Sequence, residues 1–175
     1  MKLKTRDIVY IGFIAALCAV ATTIRIEVPG GAMVHLGSAA LFTTSILFGG
    51  LYGGLGAAIG SALFDLFGGH TQYIVFSFFI KGIAGLIVGG LTAGYLPPSI
   101  NKPTASFGRI LVALITGAIW TAFGYFLAWW FGLESAVVAA SKIQYSLITS
   151  AAGIVVAVVL TPKLQTVVRR LFTKN

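Results

Sequence analysis

The sequence predicts an all-α, polytopic membrane protein with six transmembrane helices in a single domain. The first observation is composition: of 175 residues, 58% are hydrophobic and only 9% are charged, whereas a soluble domain carries about a quarter charged residues. The second is the mean hydropathy of +0.98. The third is a series of apolar runs whose lengths approach the roughly 20 residues that a helix needs to cross a bilayer. Lipid must therefore surround much of the chain.

The predicted spans follow one another with short connections. They cover residues 8–26, 37–49, 51–67, 74–95, 107–131 and 138–160. A signal peptide is the alternative for the first run, but the later runs are equally long, which favours a retained helix. The second run is short, and only a glycine cluster separates it from the third, so these two are either separate helices, a re-entrant pair or one broken span. Strands are not expected, because the runs lack the alternation of an outer-membrane barrel.

The connections differ in character. Residues 27–36 mix turn formers with apolar residues and predict an ordered cap, whereas residues 96–106 contain three prolines and predict a plain polar turn. The tail after Thr161-Pro162 is basic and predicts a short surface helix.

Basic residues indicate the orientation. The net charge is +8, but no basic helix or interleaving of basic and aromatic residues supports a nucleic-acid partner. Nine of the twelve Lys and Arg residues fall at the two termini or in the 96–109 region. The positive-inside rule then places both termini in the cytoplasm, next to anionic lipid of the cell membrane. The connections at 27–36, 68–73 and 132–138 face outside.

Lys81 is the most informative single residue, because an ionisable group within a span costs at least a few kcal/mol and asks for a reason. It lies seven residues into the fourth span, about 10 Å below the outer end. One interpretation is a structural partner for Asp65 or a snorkelling side chain. The other is a cationic donor to a substrate oxygen or ring nitrogen, and the two are compatible.

Other polar and aromatic residues are predicted at the same outer level. Several loops and helix ends thus supply ring faces and hydrogen-bond donors at one depth, as a pocket for a small polar ring would require. The candidate substrate-binding residues are His35, Asp65, His70, Tyr73, Lys81, Tyr125, Trp129, Lys142, Gln144 and Tyr145.

Small residues recur at four-residue spacing on the first helix. Ala15 and Ala19 form one such pair, and Gly12 and Ala16 form another. This spacing lets helix backbones approach closely in lipid. For the glycines of the third and fourth helices we expect packing inside the chain, whereas the alanine face of the first helix could meet a partner subunit.

Several chemistries have no support in the sequence. A G-x-x-x-x-G-K-[ST] phosphate loop is missing, so the chain does not hydrolyse ATP through that fold. Two histidines without an acidic cluster make a metal site improbable, and we expect no cofactor. Because no nucleophile and base stand at suggestive spacing, an enzyme is the least favoured class.

An ordered set of motifs carries a family resemblance. It consists of Val34-His35-Leu36-Gly37-Ser38, Leu47-Phe48-Gly49, Tyr52-Gly53, Gly60-Ser61-Ala62-Leu63-Phe64-Asp65-Leu66, Phe79-Ile80-Lys81-Gly82 and Gly85-Leu86. In these motifs the chain resembles the S components of energy-coupling factor (ECF) transporters, and most closely the branch assigned to hydroxymethylpyrimidine or pyridoxine. Gln144 resembles the glutamine of an N-x-x-Q motif, with Ser141 where asparagine is usual.

The resemblance implies a substrate-capture subunit of a vitamin importer, with a pocket near the outer surface and a first outer loop that closes over it. It also implies a transmembrane coupling subunit and two ATP-binding-cassette ATPases as partners. The Ala15-x-x-x-Ala19 pair matches the helix-one motif that such proteins present to the coupling subunit. The alternative is a self-sufficient secondary transporter or channel, for which inverted repeats would be typical, and we find none.

Overall fold

The computed structural model describes residues 4–28, 32–95 and 105–173. It confirms the all-α class, with six helices in the predicted order, of which five are long and apolar enough to cross a membrane. The helices are α1 (Thr5–Thr23), α2 (Gly37–Phe48), α3 (Gly50–Phe67), α4 (Ile74–Thr92), α5 (Phe107–Leu127) and α6 (Ala136–Thr173). Strands β1 (Arg25–Val28) and β2 (Ala32–His35), a 3-10 turn (Thr71–Tyr73) and a π turn (Ala128–Leu133) lie between them.

The helices alternate in direction, so the chain has two distinct ends. The Tyr52 hydroxyl, at the start of α3, donates to Asp7 Oδ1, at the start of α1, over 2.6 Å, so α1 and α3 run in the same direction. The end of α4 meets the start of α3, where the Gly50 N–H donates to the Gly94 carbonyl over 2.9 Å. We call this the terminal end, because α1 begins and α6 finishes there. The strands and the 3-10 and π turns lie at the opposite, hairpin end.

Helix α2 lies in the middle of the bundle. Every residue from Gly37 to Leu47 is buried except the half-buried Ala40. Ser38, at the first turn of α2, packs on Gly153 of α6, whereas Ser45 packs on Gly53 of α3. Helices two and three are therefore separate antiparallel helices, joined by the single residue Gly49. Its φ of 87° is the left-handed conformation that glycine adopts without steric cost.

Close backbone contact holds α3 against α4. A Cβ atom at Gly85 would lie 2.7 Å from Gly54 Cα, and one at Gly50 would lie 2.9 Å from both Gly90 N and the Leu86 carbonyl. This confirms the prediction that these glycines pack inside the chain. Larger side chains, among them Phe42, Ile14 and Leu114, fill the centre of the bundle.

The expectation that the chain has no strands is wrong. Helix α1 ends at Thr23, three residues before the predicted end, because β1 and β2 form an antiparallel pair in the register Arg25↔His35 and Val28↔Ala32. Pairing of the strands gives hydrogen-bond partners to backbone N–H and C=O groups that would otherwise lack them where the helix ends. The predicted cap at 27–36 falls on this hairpin, although residues 29–31 lie outside the described part. Most of the predicted turn at 96–106 also lies outside it.

The predicted end of the last span at residue 160, with a separate surface helix after it, is also wrong. Helix α6 has 38 residues and continues through Pro162. Proline removes one backbone donor, but the helix continues on either side of it. At 1.5 Å per residue α6 is about 57 Å long, so it extends well beyond a hydrocarbon core of about 30 Å.

A polar cavity at the hairpin end

A cavity of about 90 Å³ lies between strand β2 and residues of all six helices. It is several times larger than the space that one water molecule needs. The wall combines hydroxyl groups, aromatic rings and two ionisable side chains of opposite charge. Its residues are Thr22, Met33, His35, Gly37, Ser61, Phe64, Asp65, Tyr73, Ser77, Lys81, Tyr125, Trp129, Tyr145, Ser146 and Thr149.

Lys81 is buried in the wall, with 4% of its surface exposed. Its Nζ donates to Ser38 Oγ over 3.1 Å and lies 5.5 Å from the centre of the Tyr125 ring. The ion pairs in the described part of the chain are Arg25–Glu27 and Lys142–Glu134. Lys81 is therefore not paired with Asp65, and its ammonium group retains N–H donors for a bound molecule.

Two further polar atoms of the wall lack partners. Asp65 and Trp129 are 6% and 8% exposed. Within the described residues, neither Asp65 Oδ2 nor Trp129 Nε1 has a hydrogen-bond partner. Buried polar atoms are nearly always satisfied, and the exceptions require an explanation. Both residues line the same cavity, so a bound polar molecule is one partner that could satisfy this acceptor and this donor.

Stacked aromatic rings form one side of the cavity. Tyr125 and Trp129 lie one turn apart with ring centres separated by 5.6 Å and planes at 28°. The Tyr125 hydroxyl is fixed by a 2.8 Å hydrogen bond with Ser77 Oγ. Trp129 belongs to the π turn, a rare geometry that is frequent at functional sites. A flat ring could stack against this surface.

His35 reaches the cavity from the end of β2. Its Nδ1 accepts the Gly37 N–H over 3.1 Å, so the neutral ring carries its proton on Nε2. Burial, with Lys81 and Arg25 nearby, lowers the pKa of His35 to about 3. His35 is therefore a neutral hydrogen-bond donor at physiological pH. Gly37 permits this arrangement, because a Cβ there would collide with Thr22 Oγ1 and lie 2.9 Å from His35 Nδ1.

The structure brings seven of the ten candidate residues together. His35, Asp65, Tyr73, Lys81, Tyr125, Trp129 and Tyr145 line the cavity. The other three lie outside its wall. His70 stacks on Phe64 at 5.9 Å, and Lys142 binds Glu134 over 2.7 Å. Gln144 is exposed and donates to the Ser141 carbonyl of its own helix over 3.1 Å.

Sequence reasoning missed eight residues of the wall. They are Thr22, Met33, Gly37, Ser61, Phe64, Ser77, Ser146 and Thr149. Most are small hydroxyl residues, which inside an apolar helix are indistinguishable from packing residues. The available signal was helical spacing for Thr149, which lies four residues beyond Tyr145 on the same face of α6.

The predicted assembly face of α1 needs correction. Ala15 is only 3% exposed, and its carbonyl lies against Gly60 of α3. Ala15 therefore packs inside the chain and cannot present its side chain to a partner in this conformation, while Ala19 is half-buried. The exposed small residues of α1 are Gly12 and Ala16, and no described atom would lie within 4 Å of a Cβ at Gly12.

Six helices, five of them long and apolar enough to cross a membrane, surround a cavity lined by polar groups. These features define a membrane protein with room for a small molecule. In the described residues, no group of three His, Cys, Asp or Glu side chains could hold a metal ion.

Comparison with known proteins shows which family the chain belongs to. The family model described as the S component of the ECF-type riboflavin transporter matches residues 2–166. An uncharacterised protein of Pyrococcus woesei is 33% identical over 103 residues, which cover 58% of this chain and 63% of that protein. A solved S component of a bacterial ECF transporter is 19% identical, with a TM-score of 0.65 over 94% of this chain and 98% of that chain. At this identity the solved structure shows the fold alone.

The chain belongs to the family of ECF-type riboflavin transporter S components. This is a family of transport subunits and not of enzymes. The predicted ECF family is thereby confirmed, whereas the matching model names riboflavin and not the hydroxymethylpyrimidine or pyridoxine branch.

Proposed function

We propose that the chain is the substrate-capture subunit of an ECF-type importer in the cell membrane, and that it holds a flat heteroaromatic vitamin in the cavity. The observation that carries the proposal is the buried Lys81, which has no carboxylate partner within the described residues and faces the same cavity as two unsatisfied polar atoms. Riboflavin is the first candidate, because the matching family is named for it. Hydroxymethylpyrimidine and pyridoxine are second, because the motifs between residues 34 and 86 resemble that branch.

The wall has a complementary group for each feature of such a ligand. Lys81 and Trp129 Nε1 donate to ring nitrogens or carbonyl oxygens, and Asp65 Oδ2 accepts an N–H or O–H of the ligand. The face of the Tyr125–Trp129 pair stacks on the ring. These groups are already buried, and therefore desolvated, in the protein without ligand. Hydrogen bonds to the ligand would compensate for this desolvation free energy.

Equilibrium binding to the purified chain tests this proposal. Riboflavin, hydroxymethylpyrimidine and pyridoxine should be titrated separately into the detergent-solubilised protein by calorimetry. We expect one of them to saturate at one molecule per chain. Uptake of the same compound by proteoliposomes that contain this chain alone would instead favour a self-sufficient transporter, and failure of all three to bind would contradict the proposed ligand class.

The proposal includes a transmembrane coupling subunit and two ATP-binding-cassette ATPases as partners, since the sequence has no phosphate loop of its own. We assign the coupling subunit to the exposed Gly12–Ala16 face of α1, where small side chains allow a neighbouring helix to approach closely. The exposed apolar residues Ile8, Val9 and Phe13 continue this surface.

Replacing both Gly12 and Ala16 by leucine should prevent assembly and leave ligand binding intact, because neither residue lines the cavity. Co-purification with the co-expressed coupling subunit and ATPases would measure assembly, and calorimetry would measure binding. Ala151→Leu, an exposed alanine on α6, is the matched control and should assemble normally. Normal assembly of the Gly12→Leu/Ala16→Leu variant would show that the coupling subunit docks elsewhere.

Both termini are proposed to be cytoplasmic and the hairpin end to face outside. In a Cys18→Ala background, a cysteine at the exposed position Lys163 should resist a membrane-impermeant maleimide in intact cells, and one at the exposed position Glu27 should react. The reverse labelling pattern would invert the orientation, and with it the side from which the ligand enters.

A further inference from the structure

Lys142 is buried although it does not belong to the cavity wall. It precedes Tyr145, Ser146 and Thr149 by three, four and seven residues on α6, so it lies on the same face of the helix, toward the hairpin end. A lysine is almost never this buried unless it is paired. Its neighbours must therefore account for its position.

The ion pair and the cation–ring contact of Lys142 both involve the segment that follows α5. Its Nζ forms an ion pair with Glu134 Oε1 at 2.7 Å and lies 5.9 Å from the centre of the Trp129 ring. Glu134 itself follows the π turn directly, and its backbone N–H donates to the Trp129 carbonyl over 2.8 Å. One side chain of α6 thus contacts both ends of the segment that carries Trp129.

Trp129 lies between two cations in a continuous stack. Lys81 lies near the ring of Tyr125 at 5.5 Å, Tyr125 stacks on Trp129, and Lys142 lies near Trp129 at 5.9 Å. The indole orientation determines where the unsatisfied Nε1–H lies relative to the cavity. Tyr125 is fixed by Ser77, and Lys142 supplies a charged contact to the Trp129 ring.

We propose that Lys142 is a positioning residue, which holds the Trp129 indole against Tyr125 and fixes its Nε1–H as a donor to the ligand. The effect of Lys142 on ligand binding rests on the proposed function, whereas its effect on the orientation of Trp129 does not. The cation–π contact sets the ring orientation, and the Glu134 ion pair holds the ammonium group in place. Lys142 does not contact the ligand.

Trp129 itself provides a readout that needs no ligand. In a background with Trp120→Phe and Trp130→Phe, the fluorescence of Trp129 should be quenched only weakly by acrylamide, because the ring is buried. Lys142→Met should raise the quenching constant about threefold, and Lys142→Arg should leave it unchanged, because arginine retains the charge over the ring. Lys163→Met, an exposed lysine on the same helix, is the matched control and should have no effect.

Riboflavin binding to the otherwise unchanged chain supplies the second readout. Lys142→Met should weaken affinity about tenfold, within the range of a partly desolvated cation–π contact. The charge swap Glu134→Lys/Lys142→Glu restores an ion pair but places no cation over Trp129, so it should bind as weakly as Lys142→Met. Recovery of affinity in the swap, or unchanged quenching in Lys142→Met, would overturn the proposal. If the wild-type protein fails to bind riboflavin, riboflavin is not its ligand, and the quenching result still decides the role of Lys142.

Discussion

Replacing Lys81 by methionine is expected to weaken ligand binding by about 1.5–3 kcal/mol, the range for a hydrogen bond to a charged group. The structure supports this effect because Lys81 Nζ is buried, donates to Ser38 and has no carboxylate partner among the described residues. Methionine keeps most of the side-chain volume and removes only the charge and the donors. Calorimetric titration of the compound that binds the wild-type chain would measure the loss.

Two comparisons make this result interpretable. Lys163→Met removes an exposed charge far from the cavity and should leave affinity unchanged. Size-exclusion chromatography should show that Lys81→Met remains monodisperse. Lys81 has no ion-pair partner among the described residues, so its removal does not leave an unpaired opposite charge buried in the core. Wild-type affinity in Lys81→Met would mean that Lys81 is a structural residue only.

Gly89→Ala is expected to lower the thermal stability of the chain more than other single-methyl substitutions. The new Cβ would overlap the backbone nitrogen of Gly50, and backbone atoms cannot move aside as a flexible side chain can. Helices α3 and α4 would have to separate. Overpacking of this kind costs about 1–3 kcal/mol, which corresponds to a decrease in Tm of roughly 2–12 °C for a domain of this size.

Gly12→Ala is the matched control, because its new Cβ would have no described atom within 4 Å apart from the nearby backbone of its own helix. It should leave Tm unchanged or raise it slightly, since alanine favours a helix over glycine. A thermal melt of both variants in the same detergent measures the difference. Equal melting temperatures would show that the α3–α4 contact is looser than these distances indicate.

Much of the fold could be predicted because hydropathy indicates which segments of the chain lie within the membrane. The apolar runs gave six helices whose starts and ends mostly agree with the structure within a few residues. Hydropathy did not predict features that depend on local backbone hydrogen bonding. Four-residue strands are too short to show an alternating pattern, so β1 and β2 were not expected. Pro162 suggested a helix end, but it interrupts only one hydrogen bond of α6.

The candidate site was predictable where a residue is conspicuous in a membrane span. Lys81 and Asp65 are ionisable, and Tyr125 and Trp129 combine a ring with a polar atom, so each stood out. Ser61, Ser77 and Thr149 did not, because serine and threonine are ordinary packing residues in membrane helices. Their place in the wall depends on tertiary contacts that spacing alone does not determine.

The exposed face of α1 shows a different limit. This helix is apolar on nearly all sides, since lipid and the protein core both accept apolar residues. The sequence therefore contains two small-residue pairs, Ala15–Ala19 and Gly12–Ala16, without indicating which one faces inward. The position of Gly60 decides it, because this glycine of α3 receives Ala15 and leaves Gly12 and Ala16 on the surface.

The most direct test of the central claim is to identify what the cavity binds in the cell. The wild-type chain and Lys81→Met should be purified gently from the same amount of membrane and then denatured, and the released small molecules should be analysed by mass spectrometry. If the chain captures a vitamin, the wild-type protein should release one heteroaromatic compound, with riboflavin as the first candidate, at close to one molecule per chain. The amount released from Lys81→Met should be much smaller. Recovery of no specific compound, or of the same amount from both proteins, would contradict the claim.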